Sequence, residues 1–357
     1  MTAAASSRVA DATPMPAATS ARSVEPVDRR AILIVNPRAG RGLGAELHDE
    51  IAERLRIRWP SLEAVLTEDG DDVERTAAGA AERGLRTFLV VGGDGTLNEV
   101  INGVARAPGA LAASTFGILP GGTGNDLAGS LGLRTDLEDA VERLRDHGEP
   151  RAIDLGVLTG GPFRERLFVN ASAGGLFAEA SEATSPDAKS LAGRLAYVVG
   201  GSRALLDHDG VDVALRAETP EGPLAWSGRV SMFAVCNAPT VGGGRPFAPF
   251  ARCDDGWLDA FVVEEAGALG LARVLLQIPG GSHLSDERVV GFRASEIDLR
   301  FGRETHVNLD GEVALVDRAR YRVLASATRV LVPNEPAERG LSALGEPPPP
   351  GECLPTR

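Results

Sequence analysis

Lysine is all but missing from this chain of 357 residues: Lys189 is its only one, so a cation that meets a phosphate comes mainly from arginine. Cysteine is nearly as scarce. Cys236, Cys253 and Cys353 form no Cys-x-x-Cys pair, which excludes a zinc knuckle and a disulfide framework and fits a reducing cytoplasm. No apolar run approaches the roughly 18 to 20 residues that cross a bilayer, so a transmembrane span is excluded; the longest, 31–35 and 88–91, are strand-sized. The first 28 residues are rich in Ala, Ser, Pro and Thr without an apolar centre, so they read as disordered rather than as a secretory signal. Positive charge is also short, 37 Lys+Arg against 50 Asp+Glu for a net of −13, which argues against a nucleic-acid partner and a polybasic membrane surface.

Glycine is what the chain has in excess, 43 residues with no Gly-X-Y period, so the glycines belong to special turns. The length suggests two domains. From Ala31 short β-rich runs (31–35, 62–66, 86–91, 115–119) alternate with amphipathic stretches (45–58, 71–83, 97–105, and one starting near Asp126), the pattern of parallel strands joined by helices. After Arg151 the texture changes to strand-like pieces at 152–158, 166–170, 211–217, 229–236, 257–263, 296–301, 306–308 and 321–324, with helix-sized stretches at 190–206 and 269–278. The expected organisation is a tail over 1–29, an α/β domain with a parallel sheet over 30–150, a mostly antiparallel β domain over 151–332, and a Pro-rich tail over 333–357.

Three of the four first-domain strands end in Gly-rich turns: Asn36-Pro-Arg-Ala-Gly40-Arg-Gly42, Gly92-Gly-Asp94-Gly-Thr96 and Pro120-Gly-Gly-Thr123-Gly-Asn125-Asp126. In an open α/β sheet such turns gather at the carboxyl edge, where glycine lets backbone N–H groups approach phosphate oxygens. Asp94 and Asp126 beside a polyphosphate call for a divalent cation to offset the charges, so the pattern implies a nucleotide with magnesium. Thr96 and Thr123 are candidate hydroxyl donors to phosphate, and Arg41 is a candidate counter-charge. A competing dinucleotide fingerprint, Gly40-Arg-Gly42-Leu-Gly44-Ala45 with Glu63 or Glu68 some 20 residues on, leaves the turns at 92–96 and 121–126 without a purpose.

With these residues in view the chain resembles the diacylglycerol kinase catalytic family, in its soluble bacterial form. The resemblance covers roughly residues 31 to 330. Its anchors are Asn36-Pro-Arg-Ala-Gly40, Gly92-Gly-Asp94-Gly-Thr96-Leu-Asn98-Glu99 and Gly122-Thr123-Gly-Asn125-Asp126, followed in order by Asn237, the Gly242 to Gly244 run, Asp255-Gly256 and Asp310-Gly311-Glu312. Gly-Gly-Asp-Gly-Thr by itself is shared with phosphofructokinases and NAD kinases, and the resemblance implies a first domain of that parallel-sheet type. It further implies that Asn36, Pro37, Arg38, Ala39, Gly40, Thr67, Gly93, Asp94, Gly95, Thr96, Leu97, Asn98, Glu99 and Thr123 line ATP. Glu312 then matches the proton acceptor, with Asp310, Asp94 and Asp126 as further catalytic carboxylates. Asp255 resembles a structural magnesium ligand, completed by the carbonyls of Arg252 and Trp257. One departure stands out: Asn170-Ala-Ser-Ala173-Gly-Gly175-Leu-Phe177-Ala178 has Ala173 and Phe177 where the family often has Gly and Asp.

The expected activity is therefore an ATP- and magnesium-dependent kinase acting on a lipid hydroxyl, with diacylglycerol ahead of a sphingoid base, ceramide, phosphatidylglycerol or a polyprenol. A regulatory nucleotide binder without turnover and a soluble-substrate kinase of the NAD kinase type are the other readings. Retention of Asp94, Asp126, Asp310 and Glu312 together favours an enzyme. The expected location is the cytoplasm with transient contact at a membrane surface, the stretch from Val241 to Phe250 being the candidate contact or acyl entrance unless Phe247 and Phe250 pack inside. A homodimer stays open.

Overall fold

The computed structural model describes residues 29–39, 46–122, 124–133, 136–182 and 208–333. Gly40, Arg41, Thr123 and the helix expected over 190–206 lie outside the described residues. The first half runs β1 (Arg30–Val35), α1 (His48–Leu55), β2 (Ser61–Leu66), α2 (Gly70–Glu82), β3 (Thr87–Gly92), α3 (Asp94–Ala105), α4 (Ala110–Ala113), β4 (Thr115–Pro120), α5 (Asp126–Ser130) and α6 (Leu137–His147). The second half adds β5 (Gly148–Gly160), β6 (Phe163–Phe168), β7 (Ala171–Gly175), α7 (Leu176–Glu182), β8 (Val211–Thr219), β9 (Gly222–Cys236), β10 (Thr240–Val241) and β11 (Arg245–Pro246). It ends with β12 (Leu258–Glu264), α8 (Ala268–Gln277), β13 (Val289–Ala294), β14 (Glu296–Leu309) and β15 (Glu312–Pro333).

Strands β2, β1, β3 and β4 lie side by side in that order, all parallel. β1 and β3 are buried on both faces, which is why they read as unbroken apolar runs. One face of this sheet carries α2 and α3, whose Val73, Ala77, Leu97, Val100 and Ile101 meet Ile32, Ile34, Phe88 and Val90. The other carries α1 and α6, whose Ile51, Leu55, Val141 and Leu144 meet Leu33, Val35, Leu89 and Val91. Each such aliphatic side chain contributes about 1.5 to 3 kcal/mol on burial. Among the described residues the helix expected over 45–58 reduces to His48–Leu55. The helix expected at Leu97 instead begins at Asp94, because Gly93 is the extended residue that starts it.

The second half is antiparallel throughout its own ladders, with α7 and α8 packed against them. Pieces expected as separate strands are joined: 296–301 and 306–308 are one strand, bulged between Arg300 and Thr305. Strand β15 is the hinge of the architecture. It runs antiparallel to β14 and β5, then its far end returns to the first half, where Arg329 and Val330 pair in parallel with Thr115 and Phe116. The two halves thus share one 13-stranded sheet. Phe247, named above as a candidate surface contact, sits in the core with its ring against Phe177 and Phe261, and Phe250 is only half-exposed.

Candidate active site

The carboxyl ends of β1, β3 and β4 place their turns together, as parallel strands must. Asn36 ties two of them: its amide N–H donates to Val91 O (3.0 Å) and its side-chain Nδ2 donates to Thr96 Oγ1 (2.9 Å). The Asn36 Oδ1 accepts from Arg38 N (2.9 Å), which curls Pro37, Arg38 and Ala39 into a tight turn with Ala39 buried. Thr67, at the end of β2, is buried and donates its N–H (3.0 Å) and hydroxyl (3.1 Å) to Val35 O, so its side chain braces β1 rather than projecting into a cleft.

Gly93 and Gly122 bring the second and third turns into backbone contact. A Cβ on Gly122 would lie 2.4 Å from Gly93 Cα, closer than any real contact. Asn125, at φ 52°, closes the turn by accepting from Gly122 N (3.0 Å) and donating to Gly122 O (2.8 Å). Gly95 faces open space at the first turn of α3, so backbone N–H groups at that helix start are accessible to an anion. Leu97 and Asn98 are 2 % and 3 % exposed: their side chains support the turn from inside, Leu97 in the apolar core and Asn98 against Asn102.

The two acidic residues of the turns work as backbone clamps. Asp94 accepts from Asp126 N (2.9 Å) and Leu127 N (3.0 Å), capping α5 from 32 residues away. Burial pushes the Asp94 acid up, while those two N–H groups pull it back. Asp126 accepts from Gly243 N (3.0 Å) and Gly244 N (2.6 Å), so it carries the β10–β11 loop of the second half to the first. A Cβ at Gly124 would lie 3.2 Å from Asp94 Oδ2 and 3.0 Å from Asp126 Oδ2, so the two carboxylates converge on one point beside the Gly-rich turns.

The second half brings the Asp310-Gly311-Glu312 tip between β14 and β15, whose Asp310 lies near enough to Asp94 for the two charges to interact. Asp310, at φ 44°, accepts from Val169 N (2.8 Å), Asn170 N (3.3 Å) and Ala171 N (3.1 Å). Burial pushes its acid up to about 7; the three N–H groups oppose this, and nearby Asp94 adds to it. Glu312 stands half-exposed with Oε1 2.5 Å from Arg166 Nη2. Glu99, expected at the nucleotide, lies near Glu312 and Arg166. Its acid rises to about 7 through burial first, then through Glu312, against the pull of Arg166.

The Asp255 site is arranged differently from the expected magnesium shell. Its carboxylate accepts from Trp257 N (3.2 Å) and pairs with the Arg293 guanidinium, which already supplies positive charge there. The Arg252 side chain meets Asp254, and no cluster of three or more His, Cys, Asp or Glu side chains occurs among the described residues. A cation at Asp255 would take the place that the Arg293 guanidinium holds. Two residues of this region escaped the sequence reading. Asp154 is buried and accepts from Gly256 N (2.6 Å) and Ser326 N (2.7 Å), and Arg166 holds Glu312. A charge between Ile153 and Leu155 in an apolar strand was a visible signal for Asp154; Arg166 offered none.

A parallel sheet with Gly-rich anion turns, closed by a second β-rich half that presents carboxylates to them, defines a two-part phosphotransferase. Residues 30–158 match the diacylglycerol kinase catalytic domain, and residues 171–332 match the YegS C-terminal NAD kinase beta sandwich-like domain. The diacylglycerol kinase of Bacillus subtilis (strain 168) is 28% identical over 312 residues, 87% of this chain and 99% of the relative. That of Staphylococcus carnosus (strain TM300) is 28% identical over 284 residues, 80% and 89% of the two chains. A crystal structure from Bacillus anthracis str. Sterne superposes with a TM-score of 0.71 at 24% identity, covering 88% of this chain and 98% of its own. The chain belongs to the diacylglycerol kinase catalytic-domain family, a family of lipid kinases, and is an ATP-dependent kinase. Among the described residues no helix is long and apolar enough to cross a membrane.

Proposed function

We propose that this kinase transfers the γ-phosphoryl group of ATP to the hydroxyl of a membrane-derived lipid, with diacylglycerol the first acceptor and phosphatidic acid its product. The observation that carries the reading is the meeting of the Gly93 and Gly122 turns, tied to the second half by Asp126 through Gly243 and Gly244 and with Asp94 close enough to raise the Asp310 acid, since a kinase needs its acceptor-binding and phosphate-binding groups on opposite sides of one cleft. The names of the relatives support diacylglycerol as acceptor.

In this reading the backbone N–H groups of 93–95 meet the phosphates of ATP, and the 36–39 turn, whose own N–H groups are spent on Val91 and Asn36, supports them from the side. Asp94 and Asp126 hold the turns in register, and their convergent oxygens beside Gly124 suit a magnesium ion brought by the triphosphate, which would neutralise charge on the phosphate oxygens. The acceptor oxygen bonds to the γ-phosphorus as the bond from that phosphorus to the bridging oxygen breaks. The electron pair leaves with ADP, and the hydroxyl proton passes to Glu312. Phosphoryl transfer asks more for positioning than for a strong base, so an oriented carboxylate is sufficient. The enzyme would act from the cytoplasm on lipid presented at a bilayer surface.

The test is radiolabelled ATP with the purified chain and a panel of lipids, separated by thin-layer chromatography. Label in phosphatidic acid is the expected result. Label in another lipid class would replace the acceptor, and label only in a water-soluble alcohol would overturn the reading. Glu312→Gln should lower turnover at least tenfold while sparing ATP affinity; loss of ATP binding by calorimetry would remove Glu312 from the acceptor side.

A further inference from the structure

The charge network around Glu312 reaches through three elements. Glu74 on α2 is 12 % exposed and held twice, by Arg106 Nη2 (2.5 Å) from the end of α3 and by Arg166 Nη1 (2.9 Å) from β6. Arg166, itself 18 % exposed, extends its other nitrogen to Glu312, which is 46 % exposed at the first position of β15. The network is therefore buried and doubly fixed in its middle, at Glu74 and Arg166, and open at Arg106 (60 % exposed) and at Glu312, where the acceptor would come. An exposed glutamate after a glycine turn would otherwise sample several rotamers, and fixing it costs side-chain entropy.

Building on the proposed role of Glu312, we propose that Arg166, braced by Glu74 and through it by Arg106, is the positioning residue of the acceptor side: it holds the Glu312 carboxylate in one orientation toward the cleft and offsets its charge. The groups that face this carboxylate are Arg166 from β6, Glu74 from α2 and Glu99 from α3, with Asp71 acting on Glu99 from α2. Arg166 is the one cation in direct contact with Glu312 among them. Arginine suits the task, because its planar fork grips two carboxylates at once in fixed geometry, whereas lysine supplies charge without that geometry.

The experiment is a double-mutant cycle on the full chain with ATP and diacylglycerol in mixed micelles, using Arg166→Gln, Arg166→Lys, Glu312→Gln and Arg166→Gln with Glu312→Gln. Expected is a kcat about tenfold lower in Arg166→Gln with the KM for ATP within about twofold, partial recovery in Arg166→Lys, and less than about a twofold further loss when Arg166→Gln is added to Glu312→Gln. Full multiplication of the two effects, or a raised KM for ATP, would overturn the positioning role while leaving Glu312 where it is. Full activity in Glu312→Gln would overturn the function proposed for Glu312 and the inference with it. Should Arg166→Gln lack a cooperative melt, the same cycle with Arg166→Lys decides: a loss that vanishes in the Glu312→Gln background supports the role, and an unchanged loss overturns it.

Discussion

Asp310 offers a quantitative test of how the acceptor-side tip is built. Its carboxylate collects three successive N–H groups, from Val169, Asn170 and Ala171, and so fixes the tip of β14 and β15 to the turn between β6 and β7. Asp310→Asn keeps the size and tolerates the left-handed φ of 44°, but it replaces one acceptor oxygen by an NH2 group that must face an N–H. One donor left unmet costs about 1 to 3 kcal/mol. Asp310→Ala strips all three contacts and removes the polar side chain that lets aspartate tolerate the left-handed region better than alanine; with partial rescue by water the loss is about 4 kcal/mol. Against a usual stability of about 5 to 15 kcal/mol both losses are measurable. Urea unfolding followed by circular dichroism should rank wild type above Asn above Ala, with ATP affinity of the Asn variant within about twofold by calorimetry. An alanine variant within about 1 kcal/mol of wild type would show that the three N–H groups do not depend on Asp310, and the clamp would be wrong.

Asp94→Ala removes both acceptors of the first turn of α5; stability should fall by about 1 to 2 kcal/mol and turnover by more than tenfold, and retention of more than about a tenth of the rate would refute its place in the phosphate cradle. Gly122→Ala sets a β-carbon against Gly93 Cα at 2.4 Å, backbone against backbone, so the two turns must part and the ATP dissociation constant should rise at least tenfold by calorimetry; an unchanged constant would separate these turns from the nucleotide. Glu99 tests pH dependence. Its acid is raised from 4.5 to about 7 in the folded chain, so the stability it contributes is full below pH 4.5 and is lost as pH rises through 7. Glu99→Gln should remove that share of the decline and narrow the difference in urea midpoint between pH 5 and pH 8; an equal difference in both proteins would sink the assignment.

What could be read from the sequence follows from what each residue's neighbours are. The buried parallel strands were legible to within a residue or two, because both faces of β1 and β3 are apolar and nothing polar interrupts them. Strands β14 and β15 read as fragments, since each is interrupted by a bulge and carries charged residues on its exposed positions, such as Arg303 and Glu304. The return of β15 to pair with β4 leaves no local trace, because a parallel partner more than 200 residues away sets no pattern in either segment. The site divides along the same line. Glycine-rich turns announced a place where backbone N–H groups are exposed, and the turns do meet. Asp94, Asp126 and Asp310 have the sequence pattern of groups for a cation or a proton, and in the structure each carboxylate also accepts from N–H groups distant in the chain. The two readings share one physical cause. A turn open enough to present N–H groups to phosphate needs other acceptors to hold its shape when phosphate is gone, and a carboxylate is the strongest acceptor a side chain can offer. Aspartates beside such turns are therefore required by the architecture before any metal or nucleotide arrives, and only their partners in three dimensions tell the clamp from the ligand.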